Sequence, residues 1–220
     1  MTLDWAEMSF HFYVWDLDRL KHFYFYELLP LFEEENMTEK ILKLRQDLEH
    51  DIRARDMTVN MEGFTVKLDE EGLDFDLEEP IRDFRLDQER LKQEFSSVVS
   101  VQIVRLTDRF LHSMLGQLAP GKRIATGRFK ELNEAYEATG LPLNSLAHYR
   151  DLHILRLINN VYKHGEGDSK VELKRLKPEW FKNREEPSIE PEQIHDFFEK
   201  VKSFCHELLT AVKKSRSKVA

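Results

Sequence analysis

An all-α, up-and-down bundle of long helices is the fold this sequence predicts, on three observations. Apolar residues recur at helical spacing over most of the chain, above all in 80–118, 145–164 and 191–212. Only eight glycines and seven prolines punctuate 220 residues, too few for hairpin-rich architecture. Charged residues make up 34%, which suits helices with solvated faces, and the 41% hydrophobic fraction is enough for one substantial core. Residues 1–79 read as an N-terminal helical region with an irregular acidic excursion. Residues 80–220 read as the helical bundle, the two expected to form one continuous domain.

The first helix is expected over residues 4–29, ending at Pro30. Its aromatics, among them Trp5, Phe10, Phe12, Tyr13, Trp15, Phe23 and Tyr26, occupy more than one face. That pattern fits a helix buried on several sides, or a self-association surface, because large aromatics are enriched in interface cores. Thr38 introduces a second helix over 39–55, with Ile41, Leu44, Leu48 and Ile52 at helical spacing. The stretch 57–79 alternates in part and is interrupted by Gly63 and Gly72, so a short hairpin or irregular excursion is expected. Its acidic end (Asp69 to Glu79) lacks EF-hand spacing and reads as a solvated loop.

Pro80 suits the first turn of a long helix that keeps its rhythm to Leu118. Such a helix exceeds the width of a small bundle and implies a kink near Ser96-Ser97 or a role in dimerisation. A further helix is predicted over 128–138, closed by Gly140. Pro142 leads into the next, capped by Asn144 or Ser145 and stopped by Gly165. Residues 170–174 read as a short extended piece, 178–181 as a turn and 180–189 as a loop. Pro191 opens the final helix, and the basic tail 213–218 reads as a frayed, solubilising end, with contact to RNA as the alternative.

Charge and cysteine content narrow the function classes. A net charge of −8 and a pI of about 5.7 argue against a broad non-specific nucleic-acid surface, though not against a local basic pocket. Cys205 is the single cysteine and sits in an apolar pattern, so it reads as a buried hydrophobe. The nine histidines show no metal-ligand spacing on one helix, so no metal or other cofactor is expected. The aromatic N-terminus is crossed by Asp16, Asp18, Arg19, Lys21 and His22, so neither a signal segment nor a membrane span is expected, and a cytoplasmic protein follows.

The chemistry-bearing stretch is 153–164. At about 100° per residue, Arg156 and His164 project within about 80° of each other, with Asn160 between them and His153 on the same stripe. Polar groups this costly to bury are seldom gathered on a core-type helix without a partner or a task. Metal-free RNA cleavage needs groups to move protons and a cation to hold phosphate oxygens. Histidine and arginine suit those tasks, and asparagine can orient a hydroxyl or a water. His164 also sits at a helix C-terminus, where the dipole favours a cation. The bland alternative is an ordinary cap. Lys-His-Gly ends many helices, Arg156 can pair with Asp151 or Glu166, and Asn159 and Asn160 can brace loops.

The run His153-Ile-Leu-Arg156-Leu-Ile-Asn-Asn160-Val-Tyr-Lys-His164-Gly-Glu-Gly-Asp resembles the signature region of the HEPN superfamily. The resemblance implies a four- or five-helix bundle, usually a homodimer. It also implies a metal-independent endoribonuclease of toxin–antitoxin or phage-defence systems, with its R-x4-6-H motif at the dimer cleft. Catalytic roles would fall on Arg156, Asn160 and His164. Lys163, Asn159 and His153 would contact the substrate, RNA such as transfer RNA, and an antitoxin or other protein would be a partner. Seven residues separate Arg156 from His164, one more than the family's usual range, and Asn159 occupies the arginine slot if Asn160 and His164 are set in frame. The alternative is a catalytically inactive helical binding or regulatory module of a defence or toxin–antitoxin system.

Overall fold

The structure is a computed structural model and describes residues 4–32, 59–61, 64–66, 68–69, 72–73, 78–119, 129–165, 167–182 and 185–217. The α-helices are α1 (Trp5–His22), α2 (Glu78–Leu118), α3 (Phe129–Ala138), α4 (Tyr149–His164), α5 (Asp168–Leu176) and α6 (Pro191–Arg216). The all-α expectation is met. The hairpin expected in 57–79 is also there, as two small antiparallel pairs: β1 (Val59–Met61) with β2 (Phe64–Val66), and β3 (Leu68–Asp69) with β4 (Gly72–Leu73). The helix expected over 39–55 and most of the acidic stretch lie outside the described residues.

Contacts divide the chain into two compact units, residues 1–24 with 93–220, and residues 25–92. α1 therefore belongs with the bundle, whereas the sequence pattern groups it with the excursion. In the larger unit α1 runs antiparallel to α2: Ser113 donates to Ser9 at 2.9 Å, Tyr13 stacks on Phe110 at 5.0 Å, and Tyr24 meets Ser96 at 2.7 Å. It also runs antiparallel to α6, where Asp4, Glu7, Asp18 and Lys21 pair in turn with Arg216, Lys213, Lys202 and Glu199. Exposed pairs of this kind contribute at most about 1 kcal/mol each, so apolar burial does most of the work. The core comes from Ala6, Tyr13 and Leu17 of α1, Ile103, Leu111 and Met114 of α2, and Ile194, Phe198, Phe204 and Leu208 of α6.

Several local expectations change. α2 is one unbroken helix through Ser96-Ser97, whose hydroxyls satisfy helix carbonyls or Tyr24 instead of breaking the ladder (Ser97 Oγ donates to Glu94 O at 2.6 Å). After His22 the helix widens into a π-helical segment (Phe23–Leu28) and then narrows to a 3₁₀ turn (Leu29–Phe32) that runs past the expected end at Pro30. Residues 168–176 are helical, not extended, because Lys170 and Leu173, three apart, are the pair that is buried. The tail is helical to Arg216, since Lys213 and Arg216 are engaged by the carboxylates of α1. Trp5, Phe12 and Trp15 are exposed, so α1 is not buried on all sides.

Candidate functional site

α4 carries the predicted residues. It starts later than expected. Residues 143–145 form a 3₁₀ turn in which Ser145 Oγ bonds back to Pro142 O, so neither Asn144 nor Ser145 caps the α-helix. The N-cap is His148, in the left-handed region at φ 61°, with Nδ1 3.3 Å from Asp151 Oδ2. Asp151 is further held by Lys200 of α6 at 3.2 Å. The helix ends at Gly165, whose φ of 68° suits a residue without a Cβ. Leu152, Ile154, Leu155, Leu157, Ile158 and Val161 bury its apolar faces against α5 and α6.

Each polar residue of the stripe has its own local arrangement. His153 Nε2 lies 3.0 Å from Glu172 Oε1 of α5. The Arg156 side chain is only 12% exposed. Its guanidinium is ion-paired with Asp108 of α2, and its Cζ lies 3.4 Å from the centroid of Phe129 of α3, a ring that in turn stacks on Tyr149. Burial lowers the proton affinity of Arg156, to about 9, which still leaves it a cation at neutral pH. Asp151 and Glu166 were the expected partners. Asp151 is taken by His148 and Lys200, and Glu166 lies outside the described residues.

Asn159 is buried, with Nδ2 3.5 Å from Asn160 Oδ1, and Asn160 Nδ2 reaches Ser169 Oγ of α5 at 3.3 Å. Lys163 and His164 are exposed on the last turn. The structure therefore gathers His153 and Asn160 at the α4–α5 contact, seats Arg156 between α2 and α3, and leaves Lys163 and His164 at the surface. Asp108, Phe129, Glu172 and Ser169 are the partners that sequence reasoning missed. They lie on other helices, at positions that periodicity marks only as polar or apolar.

Among the described residues no cluster of His, Cys, Asp and Glu could hold a metal ion, and no helix is long and apolar enough to cross a membrane. Cys205 is fully buried and its thiol is pushed up to about 12 by that burial, which makes it a poor nucleophile near neutral pH. Comparison with protein-family models, curated proteins and solved structures finds no match to the chain.

Proposed function

We propose that the chain is a HEPN-like helical interaction module that works by contact with a protein partner and does not cleave RNA. One observation carries this reading: the guanidinium that a phosphate-holding site would need is already held, by the Asp108 carboxylate and by the Phe129 ring. Releasing it for a phosphodiester would break a partly screened ion pair and a cation–π contact, which together cost about 2–4 kcal/mol. His153 and Asn160 are likewise engaged with α5. The polar stripe then serves as bracing that fixes α4 against α2, α3 and α5, and its last turn faces outward.

A second reading keeps the enzyme. The exposure of Lys163 and His164 at the end of α4 favours it. In a dimeric endoribonuclease of a toxin or phage-defence system, His164 would transfer the proton and Asn160 would orient the hydroxyl. Lys163 would hold the phosphate in place of the engaged Arg156. The separating experiment incubates the native chain and His164→Ala with transfer RNA and total RNA in chelator. The module reading expects identical RNA profiles. Cleavage by the native chain that vanishes in a His164→Ala protein of unchanged circular dichroism would overturn it.

A further inference from the structure

α1 has two apolar faces, and the fold covers one of them. Ala6, Tyr13, Leu17 and Tyr24 point into the bundle and are buried. At about 100° per residue, Trp5, Met8, Phe12, Trp15, Arg19 and His22 form a stripe centred about 150° away. Trp5, Phe12 and Trp15 on it are 66%, 62% and 58% exposed. These positions alternate three and four apart, the spacing of an a/d seam in a helix pair. Along its edge the stripe opens into a groove of about 360 Å³ between α1 and α2, lined by Ser9, Phe12, Trp15, Leu106, Arg109 and Phe110.

We infer that this seam is the docking face for α1 of a second copy of the chain, packed antiparallel about the midpoint of the helix. Charge decides the direction. A parallel pair would set Arg19 on Arg19 and His22 on His22. An antiparallel pair in full overlap makes the layers Trp5–His22, Met8–Arg19 and Phe12–Trp15, each formed twice. The aromatic layers fall at the centre, and the cation-bearing last turn meets the partner's Trp5 and Met8 instead of a second copy of itself. Arg19 already uses this chemistry within one chain, its Cζ lying 4.8 Å from the Trp15 ring centroid.

The area is of the right order. An aromatic side chain covers about 150–250 Å² in full burial, so three that are about 60% exposed offer about 300–450 Å² per copy. Counted over both copies, with Met8, Arg19, His22 and the rim of the groove added, the total approaches the about 1,200 Å² at the low end of specific interfaces. A monomer that left so many neighbouring aromatics in water would be unusual. The inference goes beyond the function proposed for α4 and stands whether or not that helix has a catalytic role.

The test uses the full chain. Light scattering after size exclusion, at tens of micromolar, is expected to give twice the single-chain mass, and a monomer overturns the proposal. Phe12→Glu with Trp15→Glu is expected to weaken association at least about 100-fold with unchanged helical circular dichroism. A dimer that survives it overturns the assigned face. The register is tested without charging the seam. Met8→Cys with Arg19→Cys is expected to oxidise to a covalent dimer, while Met8→Cys alone is not. Cross-linking by Met8→Cys alone would indicate parallel helices and overturn the pairing, as would failure of the double variant to cross-link. Buried Cys205 does not compete.

Discussion

Replacing Asp108 by Asn tests the role assigned to Arg156 with a near-isosteric change. The guanidinium is 12% exposed and its proton affinity is already lowered by burial, so it depends on a counter-charge. Stranding one member of a buried pair costs about 3–5 kcal/mol. Asp108 is 36% exposed, so water screens the pair, and Asn keeps an acceptor oxygen. Both facts place the expected loss near about 2 kcal/mol, below the buried-pair range. For a chain of this size that corresponds to a fall in melting temperature of about 4–8 °C. Arg156→Met, which removes the cation together with its burial cost and keeps the apolar stem, is expected to lose less, under about 1.5 kcal/mol. Calorimetry or thermal circular dichroism of the two variants reads the order directly. An Asp108→Asn protein that melts within about 1 °C of the parent would refute the claim that Arg156 is anchored there.

Other consequences are simpler to check. His148 holds a left-handed conformation that a side chain with a Cβ adopts at a cost. His148→Gly should therefore leave stability unchanged or raise it by up to about 1 kcal/mol, even though it removes the imidazole that meets Asp151. A fall above about 1 kcal/mol in urea unfolding would show that the side chain matters more than the backbone. The carboxyls of Asp4 and Glu199 are held below their usual range, Asp4 chiefly by the Ala6 amide and Glu199 chiefly by Lys21. A depressed carboxylate stabilises the fold above its unfolded value, and that contribution is lost as pH falls through its folded value. The melting temperature should therefore drop between about pH 5 and pH 3, and Lys21→Met should flatten part of that slope. An unchanged slope in the variant would count against this view of how α1 is held.

How far the fold could be read in advance depends on how local the signal is. α6 was legible because Pro191 starts it and Ile194, Phe197, Val201, Phe204 and Leu208 keep one face through many turns. The end of α3 was legible from Gly140 and that of α4 from Gly165. α5 was misread because Val171-Glu-Leu173-Lys alternates over a span too short for the helical period to assert itself, and only burial of Lys170 with Leu173 reveals the helix. The start of α4 was misplaced because Asn144 and Ser145 are good caps in the abstract, yet the chain first makes a 3₁₀ turn there. At the candidate site the unusual stripe of α4 was visible, but its partners were not. Asp108 and Phe129 are distant in sequence, and nothing in α2 or α3 marks them as the seat of Arg156. A polar stripe on one helix is therefore compatible with both catalysis and bracing until the facing helices are known.

The most direct measurement is the melting temperature of the double variant Asp108→Asn with Arg156→Met. If Arg156 is a bracing cation, removing it from the Asp108→Asn protein relieves a stranded buried charge. The double variant should then melt above Asp108→Asn alone, with a coupling of about 1–3 kcal/mol. Losses that simply add, with the double variant the least stable of the three, would mean that the two groups do not act as a pair, and the bracing account of α4 would fall.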